Sequence, residues 1–376
     1  MKKMILLFFL CFAFMINFSD VKAERGKVTI KGNFQYSYKI QKEGVWITNI
    51  RPLSNQGIST LKIPSKLAGK KVVKLGNSKD RMDSSGDNER NLFGVEHSGE
   101  DDGTYVPADV YERVKKIKTI RIPETVKKIT SQCFDDIPAG KNINIPKGVV
   151  ENVEQFTYYK NWNKVMISPK NKKYKEVDGC LLTKNGKKLL GFFTKKKEMV
   201  IPKMVRTISL GEGDCLGVST IVIPKGVNRI EELNTYEPIT VKIAKGNRRY
   251  AVENGCIYSK VTGRLVSGYA KNGILNIPEH VTVVKKYNFL GSWLGGYRAK
   301  IIIVPSSVKE IHELWGLGTG TESHLTCVMK GVNPPKLVGS RGGVSSVTLY
   351  VPKGCKNKYL EKWKFEDYVK VTVIEQ

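Results

Sequence analysis

A short alternation of apolar and polar positions recurs along the chain and ends at a proline. The full phrase is apolar, any residue, apolar, proline, two residues, valine, two residues, isoleucine. It occurs at 120–129 (IRIPETVKKI), 199–208 (MVIPKMVRTI), 221–230 (IVIPKGVNRI) and 302–311 (IIVPSSVKEI). Apolar residues at every second position share one face of a strand, so each phrase predicts a strand with one buried side. Proline cannot donate to a ladder, so the strand should end there, and the later Val and Ile should point back inward.

The spacing of the phrases predicts a stacked repeat. Looser copies begin at Leu61, Ile143, Leu275 and Leu349. Successive prolines such as Pro123 and Pro146 are 23 residues apart, within the range of about 20–29 residues that leucine-rich repeats use. One unit cannot cover its own apolar face, but stacked units can. The pattern therefore predicts a rod of parallel strands about 4.8 Å apart around one continuous core.

A longer duplication accounts for the two wide intervals between phrases. Residues 171–208 align with residues 247–284 without gaps at an offset of 76, with ten of 38 positions identical. The alignment matches Tyr174 to Tyr250 and Cys180 to Cys256. Each of these units should be a larger module of the same array.

The phrase resembles a known repeat family. Cys215, Val218, Ile221, Ile223 and Pro224 match the "C..L..I.IP" phrase of BspA-type (Treponema pallidum-type) leucine-rich repeats of bacterial surface proteins, with Val218 in place of leucine. NKKYKEVDGCLLTKNGKKLL resembles that family's longer "N..Y…dG.LY…L" unit. The resemblance implies a mainly β, leucine-rich-repeat solenoid with a β-rich N-terminal module and a C-terminal cap. It also implies a surface-exposed protein that adheres to host proteins or glycans.

These patterns divide the chain into five parts. We expect a signal peptide (1–23), an N-terminal β-rich capping module (24–76), an acidic loop insertion (77–113), a leucine-rich-repeat solenoid (114–326) and a C-terminal repeat with a cap (327–376). The first part has Lys2 and Lys3 before an apolar run that is too short to span a membrane, which is typical of a bacterial secretory signal. Cys11 follows Leu10 inside that run, where lipidation would favour a small residue. We therefore expect a secreted or cell-surface protein, with a lipid-anchored form as the alternative.

Charge suggests what the protein binds. The formal net charge is +28, so the protein should attract polyanions and acidic surfaces. Eleven lysines lie between residues 164 and 197, against Glu176 and Asp178. A solvated, edge-protecting surface is one interpretation of this stretch, and a stripe that binds anionic glycans is the other. The candidate polyanion-binding residues are Lys172, Lys173, Lys175, Lys187, Lys188, Lys195, Lys196 and Lys197.

The insertion is acidic instead, with ten acidic and four basic residues. Its composition favours a long loop or a partly disordered segment, and loops on a scaffold often contact partners. Asp101, Asp102 and Tyr105 are the candidate partner contacts. Calcium binding by its carboxylates is a further alternative, although their spacing fits no defined loop.

The remaining candidates for chemistry are better explained by packing. The six cysteines of the mature chain fall on inward positions as small fillers, with one disulfide as an alternative. Phe156 and Trp162 also fall on inward positions, whereas Tyr158 and Tyr159 stay open as sugar-stacking candidates. We find no motif for a catalytic group, a metal, a nucleotide or another cofactor.

Three functions remain open from the sequence. The first is an adhesin-like protein that binds an extracellular or host protein or an anionic glycan; nucleic acid is an unlikely physiological partner. The second is a structural component of the cell envelope without an external ligand. The third is a glycan-active enzyme, which would need paired carboxylates in a cleft.

Overall fold

The computed structural model describes most of the chain outside the predicted signal peptide. The described residues are 27–76, 91–94, 107–131, 133–134, 137–158, 162–193, 196–211, 213–215, 217–233, 239–285, 299–312, 324–339, 345–365 and 368–376. The predicted signal peptide, Asp101, Asp102, Tyr105, Tyr159, Lys195 and the carboxylates considered for calcium from Asp83 to Glu89 lie outside them.

The chain opens with a small sheet. β1 (Lys27–Lys31), β2 (Phe34–Gln41) and β3 (Gly44–Pro52) pair antiparallel in chain order. β6 (Lys70–Leu75) adds parallel to β3 and also pairs antiparallel with β5 (Lys66–Leu67). Alternate residues of β2 are buried, so this sheet covers the first end of the core.

The proline phrases form parallel strands, as the sequence predicted. They make three successive sheets, which we name the front sheets. The first contains β4 (Thr60–Lys62), β7 (Thr119–Arg121), β9 (Lys141–Ile145) and β10 (Trp162–Ile167). The second contains β14 (Glu198–Val200), β16 (Thr220–Ile223) and β18 (Thr240–Ile243). The third contains β22 (Ile274–Asn276), β24 (Ile301–Val304), β26 (His324–Met329), β28 (Ser346–Val351) and β29 (Lys370–Glu375).

A tight turn after each proline explains the phrase. The N–H of Val126 donates to the carbonyl of Pro123, that of Val205 to Pro202, and that of Val281 to Pro278. The three valines are fully buried. The chain then enters a second set of parallel strands, the rear strands: β8 (Lys128–Ile129), β15 (Thr207–Leu210), β17 (Arg229–Leu233), β23 (Val283–Val284), β25 (Glu310–His312) and β27 (Lys336–Val338).

Each half of the 76-residue duplication contains an antiparallel meander of three strands. The first is β11 (Tyr174–Val177), β12 (Cys180–Thr183) and β13 (Lys188–Phe192). The second is β19 (Tyr250–Glu253), β20 (Cys256–Ser259) and β21 (Leu265–Gly268). β13 then pairs parallel with β15 and so joins the rear strands.

The meanders divide the core, so the expectation of one continuous core was wrong. Three apolar clusters follow one another along the chain. On β12, Leu181 belongs to the first cluster, whereas its neighbours Cys180 and Leu182 belong to the second. On β20, Ile257 belongs to the second cluster and Cys256 to the third. Because successive side chains of a strand point to opposite faces, each central meander strand is a two-sided wall between clusters.

Helices are few in the described residues: α1 (Ala108–Lys116), α2 (Gln155–Tyr158) and α3 (Lys356–Lys362). α1 begins inside the predicted acidic loop insertion, so the loop prediction for that part was wrong. Leu92 and Phe93, from the same segment, are also buried in the first cluster. The acidic composition of residues 77–113 concealed these apolar anchors.

Candidate binding surfaces

The outward side of the third front sheet carries no formal charge over two complete rows. One row is Ile274, Ile301, Thr326, Thr348 and Thr372, and the other is Asn276, Ile303, Val328, Tyr350 and Ile374. We name these ten residues the uncharged face. Residues between them on the same strands, such as Ile302, Cys327 and Leu349, are fully buried in the third cluster. The strand period therefore directs the ten side chains outward, where four are exposed and six are half-buried.

Charged residues surround the uncharged face at the strand ends. Lys300, Lys330, Lys353 and Lys370 are exposed there, against Glu279 and Glu375. Glu375 accepts a hydrogen bond from the N–H of Lys356 at 2.8 Å. His324, at the start of β26, contacts the hydroxyl groups of Ser346 at 2.8 Å and Thr348 at 3.1 Å. The rim is thus basic overall, whereas the centre is apolar and hydroxylated.

The other two front sheets present mixed outward residues. The first exposes Lys62, Arg121 and Lys164. The second pairs Lys242 with Glu198 across the sheet at 2.8 Å. An uninterrupted uncharged surface is therefore a feature of the third front sheet.

The structure separates the predicted polyanion-binding lysines into two groups. Lys172 and Lys173 follow the turn after β10, Lys175 lies on β11, and Lys187 and Lys188 lie at the start of β13. The distance between an ideal Cβ on Gly186 and the Lys175 Nζ is only 2.6 Å, so these two turns lie side by side. Lys196 and Lys197 follow the far end of β13. The charge of Lys196 is close enough to the Cys180 thiol to oppose the rise in its pKa that burial causes. The second group therefore lies at the opposite end of the meander.

A buried asparagine shapes the corner that carries the first group. The Nδ2 of Asn171 donates to the carbonyls of Pro146 at 3.2 Å and Val149 at 2.7 Å. Its Oδ1 accepts the N–H groups of Lys173 at 3.0 Å and Tyr174 at 2.9 Å. The side chain thus joins one coil to the next and fixes the backbone of the basic pair.

The duplicate repeats this arrangement. The Nδ2 of Asn247 donates to the carbonyls of Pro224 and Val227, and its Oδ1 accepts from Arg249 and Tyr250. Sequence reasoning aligned the two asparagines but missed their role, because a polar residue in a turn usually faces solvent. The signal was their shared place at the start of both 38-residue units.

A buried lysine was also missed. Lys141, at the start of β9, is 1% exposed and donates through Nζ to the carbonyls of Val114 and Ile117, both at 2.7 Å. These carbonyls lie at the C-terminal end of α1, where the helix dipole favours a cation. Burial, and then the charge of Lys118, lower the pKa of Lys141 to about 8. The lysine therefore ties α1 to the first front sheet.

The cysteines and two of the aromatic residues lie at the inward positions that the sequence predicted. Each of the six cysteines in the part of the chain that the structure describes is buried, and none forms a disulfide. Burial raises the pKa of the Cys256 and Cys327 thiols to about 12, which leaves them protonated and unreactive. Phe156 and Trp162 pack together in the first cluster with ring centroids 5.4 Å apart, whereas Tyr158 is exposed.

The described residues give little support for other chemistry. Among them, no group of three His, Cys, Asp or Glu side chains could hold a metal ion. In the same part of the chain, no helix is long and apolar enough to cross a membrane.

Architecture and surface together define a leucine-rich-repeat β-solenoid with parallel front strands, proline turns and an open sheet face. The family model described as "BspA type Leucine rich repeat region" matches with six copies, at residues 100–177. The chain therefore contains BspA-type leucine-rich repeats. No curated protein matches its sequence.

Three solved structures are similar to this chain. The pneumococcal vaccine antigen PcpA is 10% identical over 93% of this chain and 99% of that chain, with a TM-score of 0.30. A leucine-rich repeat protein from Eubacterium ventriosum is 14% identical over 93% and 85%, with a TM-score of 0.29. One from Bacteroides ovatus is 13% identical over 92% and 100%, with a TM-score of 0.30.

Proposed function

We propose that this chain is an exported, adhesin-like protein without catalytic activity, and that it binds an extracellular protein through the uncharged face. The observation that carries this proposal is the uncharged face itself: ten outward residues without a formal charge, in a chain with 26% charged residues. The surface of a solenoid usually consists of charged and polar residues, so ten uncharged positions in register need a reason. Contiguous exposed apolar surface marks interaction sites.

The chemistry of the face indicates the kind of partner. Ile303, Val328 and Tyr350 lie next to one another on adjacent strands, and they can be desolvated without burying a charge. The basic rim then favours a partner whose own apolar patch has an acidic rim. A second copy of this chain is disfavoured, because both copies would bring the same positive charge to the interface.

Export supports an extracellular partner. The apolar run after Lys2 and Lys3 has the composition of a secretory signal. The predicted contacts of the acidic insertion, Asp101, Asp102 and Tyr105, stay a prediction for the same role. Surface adhesion, which the resemblance to BspA-type proteins implies, is consistent with the same role.

The test is an array of extracellular and cell-surface proteins probed with residues 24–376 and two variants. Ile303→Lys/Val328→Lys places two cations in the uncharged face. Leu53→Lys/Leu360→Lys adds the same charge at two leucines that are each 40% exposed elsewhere. We expect at least one acidic protein to bind the parent and the control, and the face variant to bind it at least about tenfold more weakly.

Two outcomes would overturn the proposal. One is equal binding by the face variant and the control, which would place the contact elsewhere. The other is recovery of the native protein only in a tight envelope complex, with no external ligand on the array, which would favour the structural alternative.

A further inference from the structure

Five turn segments form a second surface, at the corner between the front and rear strands. The segments are 168–175, 184–188, 202–207, 224–229 and 244–249. Together they contain fourteen lysines and arginines and no aspartate or glutamate. We name this surface the basic corner. It includes Lys172, Lys173, Lys175, Lys187 and Lys188, and seven of its fourteen basic residues lie outside the stretch that the sequence singled out.

Backbone pairing stacks these turns along the solenoid. β14, β16 and β18 pair parallel, with Val200 opposite Val222 and Val222 opposite Lys242. Each strand leads into a turn whose second residue is an exposed lysine. These residues are Lys203, Lys225 and Lys245. Because the coils follow one another at strand spacing of about 4.8 Å, the three lysines form a ladder along the long axis.

Side chains and turns of neighbouring coils close the gaps in this ladder. The N–H of Arg206 donates to the carbonyl of Lys187 at 2.8 Å, which joins the meander turn to the next coil. The Nη1 of Arg206 donates to the carbonyl of Lys203 at 2.9 Å. It also lies 2.4 Å from an ideal Cβ on Gly226, so the guanidinium group covers the following turn. The basic groups are therefore continuous from coil to coil.

Both duplicated units contribute the same basic elements. Lys172 and Lys173 follow Asn171, and Arg248 and Arg249 follow Asn247. Lys184 donates through Nζ to the carbonyl of Pro169 at 2.7 Å, and its equivalent Lys260 donates to that of Asn247. The two asparagine-anchored corners thus place a cationic pair at each end of the lysine ladder.

Little of this charge is neutralised by carboxylates in the part of the chain that the structure describes. Glu231 contacts Lys188 at 2.6 Å and Arg229 at 3.0 Å. Among the described residues, no carboxylate forms a salt bridge with Lys203, Lys225 or Lys245. Neighbouring cations at about one per coil repel one another. An external anion with repeated charges would relieve this repulsion along the whole surface.

We propose that the basic corner binds a linear anionic polysaccharide, such as a sulfated glycan, laid along the solenoid axis. The charges form a line instead of a pocket, which fits an extended chain. Single-stranded nucleic acid has charges at similar intervals, but its protein sites add exposed aromatic rings on which bases stack. At this corner the aromatic residues Tyr174 and Tyr250 are buried. The glycan is therefore the better match.

The test measures retention of residues 24–376 on immobilised heparin, and affinity for soluble heparin between about 50 and 500 mM salt. The corner variant replaces Lys203, Lys225, Lys245, Arg248 and Arg249 by Gln. The control replaces five exposed lysines elsewhere by Gln: Lys27, Lys31, Lys42, Lys116 and Lys358. Both variants lose five positive charges, so they differ only in where the charge is removed.

We expect the parent to bind heparin with a steep loss of affinity as salt rises. At about 150 mM salt the corner variant should bind at least about tenfold more weakly and with a shallower salt slope, whereas the control should stay within about twofold.

Equal losses in both variants would show attraction by net charge alone and would overturn the proposal. So would absence of binding by the parent, or tighter binding to oligothymidylate than to heparin. The Ile303→Lys/Val328→Lys variant should retain heparin binding, so a failure of the uncharged face would be distinct from a failure here.

Discussion

At the scale of single residues, inward and outward positions followed the sequence pattern, but the polar anchors did not. The cysteines, Phe156 and Trp162 are buried as predicted, because each stands at an inward position of its repeat, on a strand or in the turn or helix beside it. Asn171 and Lys141 are buried too, and no residue-type rule predicts this. The side-chain N–H groups of both residues donate to carbonyl groups of an earlier coil or helix, which come close only after the chain has folded.

The asparagine anchors should be worth measurable stability. Asn171→Ala leaves buried carbonyl and N–H groups without partners, so we expect the free energy of unfolding to fall by about 2 kcal/mol. Asn247→Ala should cost about the same, and the double variant about the sum, because the sites are far apart. Denaturant melts measure this, with the exposed Asn163→Ala as a control that should cost less than about 0.5 kcal/mol. A cost near that of the control would contradict the anchoring role.

Asp214 makes stability depend on pH. Burial raises the pKa of this carboxyl from 3.8 to about 6, although hydrogen bonds from Thr157 and from the N–H of Gly211 act in the opposite direction. The single hydroxyl proton of Thr157 faces both Asp214 and the carbonyl of Glu154, and a protonated Asp214 satisfies both contacts. Since folding favours the protonated acid, its stabilisation is complete below the unfolded pKa and is lost as pH rises through the folded pKa.

Asp214→Asn should remove this dependence. Between about pH 4 and pH 7 the variant's unfolding free energy should fall less than that of the parent, by up to about 3 kcal/mol. Urea melts across this range measure the difference. The exposed Glu361→Gln should keep the parent's profile, and an Asp214→Asn profile parallel to the parent would show that the carboxyl is ionised throughout.

At the scale of elements, the front strands and proline turns were predictable and the meanders were not. In the alternation I-x-I-P, the two isoleucines decide which side of the strand faces inward, and the proline ends the strand. The sequence pattern predicted only a larger module in each duplicated unit, although Asp178-Gly179 and Asn254-Gly255 are typical of hairpin turns. All four residues have positive φ, from 52° to 81°. The sequence therefore contains the signal for each hairpin, within a segment whose length does not match the repeat period.

The wall formed by the first meander can be tested by truncation. Leu181→Ala on β12 removes a fully buried side chain that faces the first cluster, so we expect a loss of about 2–5 kcal/mol in unfolding free energy. Leu190 on β13 is only partly buried, so Leu190→Ala should lower the unfolding free energy clearly less. Equal costs in thermal or denaturant melts would mean that β12 does not separate the clusters.

At the scale of the whole molecule, the stacking of coils builds surfaces from residues that are far apart in the sequence. The lysine-rich stretch marked one part of the basic corner, but Lys203, Lys225 and Lys245 are about 20 residues apart and become neighbours only through parallel pairing. The uncharged face arises in the same way, from outward positions that look variable in each phrase. Sequence predicted the scaffold, whereas the surfaces depend on register between coils.

The solenoid itself is tested most directly by the thiols of residues 24–376. If the phrases are successive coils whose inward side chains form the core clusters, all six cysteines of residues 24–376 are buried and outside any disulfide. The native protein should then show no rapid reaction with Ellman's reagent, and the protein unfolded in guanidinium without reductant should release six equivalents. Rapid reaction of any thiol in the native state, or fewer than six after unfolding, would contradict the account.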